Sequence, residues 1–181
     1  MLLDAAMFMG ALPALIYAAT AFTGQASISL APGGRAAAPV TISVTRWATD
    51  DDRDALVAAV TNGGSAVACE LLAMHEDVGT IQVGGLRTPI KYAHARPTLG
   101  GRLITLLTAE PILIVEGGVP DTKPRAGFDF GVVVLDLDAA GSGQGELASA
   151  ATIRINGDKA VVTDDSGAAV VRLINVKSTQ K

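Results

Sequence analysis

The sequence is short of cysteine, aromatic residues and charge. Cys69 is the single cysteine among 181 residues, which excludes an intramolecular disulfide framework and a thiolate metal cluster. Aromatic residues make up 4% of the chain, charged residues 18%, and the formal net charge is -4 with 14 Lys and Arg residues. Such a chain lacks the clustered cations that displace counterions from nucleic acid. We therefore expect no nucleic-acid partner.

Hydrophobic residues are abundant and mostly aliphatic. They make up 49% of the sequence, enough for a sizeable core, and the length suits one domain. The core should consist mainly of Val, Leu, Ile and Ala, with Trp47, Phe128 and Phe130 as its large members.

Residues 1–26 predict a signal peptide or an N-terminal anchor. No charge occurs between Ala5 and Phe22, and Gly24 and Ala26 form a small-residue cleavage site. Asp4 stands where a leader normally has Lys or Arg, so a retained anchor and a core helix are the alternatives. The expected location is periplasmic or extracellular, with membrane contact only through residues 1–26 if they stay uncleaved. Residues 27–39 then form a flexible linker, 40–176 a single domain and 177–181 a polar tail.

A strand followed by helices opens the predicted domain. Apolar and polar residues alternate over 40–46, which predicts a strand with one buried face. Thr49 or Asp50 can cap the helix that follows, over 51–61. The segment 62–64, Asn-Gly-Gly, should end it, and a second helix over 65–74 would complete a helical hairpin.

From Val78 onward the pattern has period 2, with glycine-rich turns between short segments. Strands this close together must be mainly antiparallel. We predict an α+β fold: a mainly antiparallel meander sheet or partly closed β-barrel, covered by the N-terminal helical hairpin. The predicted strands are 80–83, 89–95, 102–109, 112–116, 128–138, 146–155, 159–163 and 168–176.

Several short segments resemble an uncharacterised family of small exported bacterial proteins of the acidobacterial type. The segments are 42–50 (ISVTRWATD), Arg53 with Asp54, 79–81 (GTI), 91–93 (KYA), 101–104 (GRLI), 110–112 (EPI), 135–138 (LDLD) and 143–147 (GQGEL). The resemblance implies export and a single compact domain over most of 40–176. It transfers no functional residues.

Three groups of side chains are candidates for metal binding, and each has a structural interpretation. Asp136 and Asp138 precede a glycine-rich turn as in a calcium loop, but Ala140 and Leu147 stand where ligands belong. The carboxylates of 50–54 also begin a helix, where they complement its dipole. His75 and His94 would need a carboxylate such as Glu70 or Glu76 to bind zinc. We expect no metal and no cofactor.

Other reactive or charged residues also have two interpretations. Cys69 with a histidine could form a thiol nucleophile, but it lies among apolar helix residues, where it can simply pack. Lys91, Arg96 and Arg102 could frame a pocket for an acidic ligand or be ordinary surface charges.

No catalytic motif is present, so the favoured function is binding. We expect an exported, non-enzymatic protein that binds a small molecule or an envelope component. The alternative is a small hydrolase-like enzyme with its site between the helix pair and the sheet. Its candidate catalytic residues are His94, Tyr92 and Arg46, which can project from strands near the helices. A structural envelope subunit that associates through its edge strands or its N-terminal segment is the third hypothesis.

Overall fold

The computed structural model of the chain describes residues 19–30, 34–114, 127–156, 159–164 and 170–179. The helix α1 (Asp50–Met74) lies in the middle of the chain, between the second and third strands. In chain order the strands are β1 (Thr20–Leu30), β2 (Gly34–Val44), β3 (Gly79–Val83), β4 (Leu86–Ile90), β5 (Tyr92–Thr98), β6 (Gly101–Leu107), β7 (Phe130–Asp138), β8 (Ser142–Asn156), β9 (Lys159–Asp164) and β10 (Val170–Ser178).

These strands form one antiparallel sheet that curls into a nearly closed barrel. Its order is β4-β3-β2-β1-β10-β8-β7-β6-β5, and β9 pairs with the extension of β8. The two ends of this order, β4 and β5, are separated by Lys91 alone. The Lys91 backbone N–H donates to the Leu107 carbonyl on β6, and that of Ala48 donates to Ala93 on β5. The predicted antiparallel sheet is confirmed, in its barrel form.

Alternation along the strands gives the barrel a filled interior and an outer apolar patch. On β7, Val133 and Leu135 belong to the interior core, whereas Phe130 and Val132 contact the cluster beneath α1. Side chains at alternate positions point to opposite faces of a sheet. The interior cavity beside Phe22 and Ile42 has a volume of about 10 Å³, roughly the least that one water molecule requires.

At the N-terminal end, the strands of the structure cross the predicted boundaries. Residues 20–26, assigned to a leader, form the first seven of the eleven residues of β1, and Phe22 and Ala26 are 1% and 0% exposed in the core. Residues 27–30 and 34–39, assigned to a linker, form the rest of β1 and the start of β2, which pair with each other. Residues 1–18 and 31–33 lie outside the described part of the chain.

The predicted N-terminal hairpin of two helices is also corrected. Among the described residues there is one helical element, α1, in the middle of the chain, and it changes direction at Gly64, where φ is 75° and ψ is -170°. A straight helix of this length would be about 37 Å long. Asp50 at its start contacts His94, whereas the carbonyl of His75 at its end accepts from Lys91. Lys91 and His94 are only three residues apart in the chain, so both ends of α1 lie near the junction of β4 and β5.

Two further segments differ from the prediction. The part of the predicted strand 112–116 that is described, residues 112–114, is irregular, and the Ile112 N–H donates to the Ser149 carbonyl. The predicted polar tail begins inside β10, since Lys177 pairs with Ser142. Thr179 then donates from its N–H to the Ala21 carbonyl at 2.8 Å. Residues 180–181 are not described.

By length and composition alone, α1 is apolar enough to cross a membrane. Apolar helices of water-soluble proteins share this property. Here one side of α1 packs on the barrel through Leu56, Val60, Ala68 and Leu72.

Candidate functional site

A concave surface lies at one end of the barrel. It is formed by the β5–β6 turn, the β7–β8 turn and the end of β10, and its volume is about 650 Å³. A neighbouring space of about 980 Å³ shares Leu99 and Asp138 and continues over the outer face towards Ile174. We call the first space the rim groove. Its lining residues are Thr98, Leu99, Gly100, Gly101, Arg102, Asp138, Ala139, Ala140, Gly141 and Ser178.

Arg102 is the cation of the rim groove. Its strand neighbour Leu137 is buried, so the Arg102 side chain starts on the inner face, at the end of the barrel. The guanidinium carbon lies 5.9 Å from the centre of the buried Phe22 ring, a cation–π distance. One N–H of the guanidinium donates to the Ser178 hydroxyl at 3.3 Å. These contacts position the group while leaving other donors of its planar fork open to the groove.

Asp138 is the anion of the rim groove. One of its carboxylate oxygens accepts from the Ser142 N–H at 2.9 Å, which closes the β7–β8 turn. Asp136 lies two residues earlier, exposed on the outer face. Within the described residues, no three His, Cys, Asp or Glu side chains converge as a metal site would require. Among these residues, the structure therefore provides no third carboxylate for a calcium site at Asp136 and Asp138.

Apolar side chains border the same surface. Leu99 is fully exposed at the tip of the β5–β6 turn, and Ile174 is 40% exposed beside it. Ile174 lies in the irregular part of β10, next to Asn175, whose φ is 54°. Asparagine tolerates this left-handed conformation better than most residues. The rim groove thus combines a cation, an anion and an exposed leucine.

A second polar cluster lies where the start of α1 meets β5. The rings of Tyr92 and His94 are stacked with their centres 6.2 Å apart. The His94 Nε2 lies 3.8 Å from an Asp50 carboxylate oxygen. Burial, as the main cause, raises the pKa of Tyr92 to about 12, and the carboxylates of Asp50, Asp52 and Asp54 add to the shift. The phenol is therefore held in its protonated form.

The acidic start of α1 is explained by the helix itself. Thr49 is the N-cap, and it exchanges hydrogen bonds with Asp52 in a capping box. The N–H and hydroxyl of Thr49 lower the pKa of the Asp52 carboxyl. Arg53 pairs with Asp50 at 3.2 Å and with Asp54 at 2.9 Å. These contacts satisfy the carboxylates without a metal ion.

The candidate catalytic residues are only partly brought together. Tyr92 and His94 are in contact, but Arg46 is exposed and reaches the cluster only through a weak electrostatic effect on Asp52. Lys91 forms an ion pair with Asp77 at 2.8 Å and donates to the His75 carbonyl at 2.9 Å. Of the three basic residues 91, 96 and 102, Arg102 alone lines the rim groove.

Cys69 is held as a structural thiol. Its sulfur lies 3.4 Å from the Ala109 carbonyl oxygen, to which it donates, within the apolar cluster beneath α1. Burial raises the pKa of this thiol, and the charges of Asp129 and Glu70 add to the effect. A raised pKa disfavours the thiolate that a nucleophile needs.

Sequence reasoning missed the rim groove because its residues come from two turns and a strand end that lie far apart in the sequence. Only the barrel brings Arg102, Asp138 and Ser178 together. The signal available in the sequence was Arg102 at an inward position of an otherwise apolar strand. Comparison of the chain with protein-family models, curated proteins and solved structures finds no match.

Proposed function

We propose that this protein is an exported, non-enzymatic domain that binds a small ligand or a component of the cell envelope in the rim groove. One observation carries the proposal: at the rim groove, Arg102 and Asp138 face a common space without forming an ion pair with each other. This absence of an ion pair holds for the residues that the structure describes. Charged groups that converge on a concave surface are typical of a binding site.

The tight packing of the barrel interior favours a binding site outside the interior. In the described part of the chain the interior is packed with aliphatic side chains and Phe22, and the cavity beside Phe22, of about 10 Å³, is far smaller than a ligand pocket. The rim groove, at about 650 Å³, is of the size that small ligands occupy. Binding is therefore proposed at the end of the barrel rather than inside it.

Export is proposed on the sequence of the N-terminal stretch. The uncharged segment from Ala5 onward is typical of a leader. A leader compatible with the barrel must end before Thr20, because Phe22 and Ala26 belong to the core.

A hydrolase remains the second candidate function, on the observation that Tyr92, His94 and Asp50 lie together. A carboxylate beside a histidine can orient it as a general base. Against this, no hydroxyl or thiol among the described side chains hydrogen-bonds to His94, and the phenol of Tyr92 has a raised pKa. This cluster therefore lacks an activated nucleophile.

The test is a two-dimensional amide NMR titration of the protein with a library of small metabolites and soluble cell-wall fragments. A ligand should shift the amide signals of Gly100, Gly101 and Gly141, while that of Gly85, in the distant β3–β4 turn, stays unchanged. A library that shifts none of the groove signals would refute the proposal. Turnover of chromogenic esters by the native chain, lost in His94→Asn, would replace it with the hydrolase.

A further inference from the structure

Arg102 and Asp138 come from neighbouring strands, yet their side chains start from opposite faces of the sheet. Asp138 pairs with Gly101, and Arg102 pairs with Leu137. Adjacent residues on a strand point to opposite faces, so Arg102 starts from the inner face beside buried Leu137 and Asp138 starts from the outer face. The two opposite charges therefore reach the rim groove from different faces, and among the described residues they form no ion pair with each other.

Both charges are fixed in place by contacts that leave part of each group available. Phe22 and the Ser178 hydroxyl hold the Arg102 guanidinium. The Ser142 N–H holds one oxygen of Asp138, and no hydrogen bond to its second oxygen occurs among the described residues. Groups already held in their bound positions lose little conformational freedom when a ligand arrives.

We infer that the rim groove binds a small zwitterion of the α-amino-acid class, with its carboxylate on Arg102 and its ammonium on Asp138. A guanidinium matches a carboxylate in two parallel hydrogen bonds, and the remaining Asp138 oxygen accepts from the ammonium. Leu99, Ala139 and Ala140 line the same space and provide an apolar contact for the ligand side chain. This assignment of a ligand class rests on the proposed function.

A ligand with one charge is disfavoured by the same geometry. A plain carboxylate would face the Asp138 anion, and a plain amine would face the Arg102 cation. A zwitterion satisfies both groups at once, so each of its charges should contribute to affinity.

The experiment compares three compounds that share a carbon skeleton. L-Leucine carries both charges, 4-methylpentanoate lacks the ammonium group, and 3-methylbutylamine lacks the carboxylate. Binding is measured by amide NMR titration of the full chain, following Gly100, Gly101 and Gly141. We expect L-leucine to bind at least about tenfold more tightly than either single-charge compound, because a hydrogen bond to a charged group contributes strongly.

Two variants assign each charge to its residue. In Arg102→Met, L-leucine should bind no better than 3-methylbutylamine, because the partner of its carboxylate is gone. In Asp138→Asn, which keeps an oxygen for the Ser142 N–H, L-leucine should bind no better than 4-methylpentanoate. Arg96→Met and Glu146→Gln remove exposed charges outside the rim groove and should leave the preference unchanged. The melting temperature of each variant checks its fold.

The outcomes separate the ligand class from the function. If a single-charge compound binds as tightly as L-leucine, or if Arg102→Met and Asp138→Asn keep the native preference, the zwitterion assignment is overturned. It is also overturned if other library compounds shift the groove signals and L-leucine does not, although the binding function then stands. If no compound shifts those signals, both proposals fail.

Discussion

Tyr92 shows how one buried side chain couples stability to pH. It is 7% exposed beneath the start of α1, and its pKa is raised to about 12. In the unfolded chain a phenol ionises near 10. Between these values the unfolded state has released a proton that the folded state still holds, so the free energy of unfolding must fall as pH rises.

We predict that stability is insensitive to this group below about pH 10 and decreases by about 2–3 kcal/mol between about pH 10 and 12. Urea unfolding at a series of pH values measures the decrease, and Tyr92→Phe, which has no ionisable phenol, should flatten it. Ultraviolet difference spectra between the two proteins report the ionisation directly. If the native protein and Tyr92→Phe lose stability in parallel over this range, the burial of the phenol is not the cause.

The sequence was most informative about the local structure around individual residues. Thr49 as a helix cap and the strand alternation through Val40, Ile42 and Val44 follow from local rules, and the structure has both. The partners of Arg102 could not be derived in this way. Phe22 and Ser178 lie on other strands, and the latter is 76 residues away along the chain.

At the scale of elements, α1 depends on the conformation of one glycine. Gly64 has φ 75° and ψ -170°, a region that is essentially restricted to glycine. A β-carbon placed there would meet no atom within 4 Å, so the constraint lies in the backbone rather than in packing. Through this residue the helix returns both of its ends to the β4–β5 junction.

We expect Gly64→Ala to destabilise the protein by about 1–3 kcal/mol, the cost of holding alanine in this conformation. Gly85→Ala is the matched control, because a β-carbon there also meets nothing within 4 Å and its φ is not positive. The control should change stability by less than about 1 kcal/mol. Denaturant unfolding monitored by circular dichroism compares the two, and equal stabilities would mean that the bend does not need glycine.

The strand β1 was not predicted from the sequence, and the reason concerns this element as a whole. Phe22, Ala26 and Ile28 alternate with polar residues, which is the signal of a strand. The apolar stretch that begins at Ala5 reaches Phe22, and its resemblance to a leader obscured the change of period. A strand that pairs with both β2 and β10 also depends on partners far away in the sequence, one of them near the C-terminal end.

At the scale of the whole molecule, β1 determines how many N-terminal residues can be removed from a chain that still folds. We predict that a chain lacking residues 1–19 folds cooperatively, whereas one lacking residues 1–26 does not. The second deletion removes Phe22 and Ala26 from the core and takes away their pairing with β2 and β10. Loss of a buried phenylalanine side chain alone costs about 3–5 kcal/mol.

Thermal unfolding of the two truncated chains measures the difference, and the intact mass of the full chain after expression in a secreting bacterium gives its first residue. We expect that residue to be Thr20 or an earlier one. A chain lacking residues 1–26 that unfolds at the same temperature as the longer one would show that the barrel does not need the first half of β1.

The hydrogen bond from Thr179 to Ala21 places the start of β1 beside the end of β10. Because these strands are antiparallel, a tensile force applied between the two positions would act across their hydrogen bonds and break them one pair at a time. The two strands would separate progressively from that end, which requires little force. A molecule tethered at both of these positions would open under low force, whereas one tethered at a single position would carry no load.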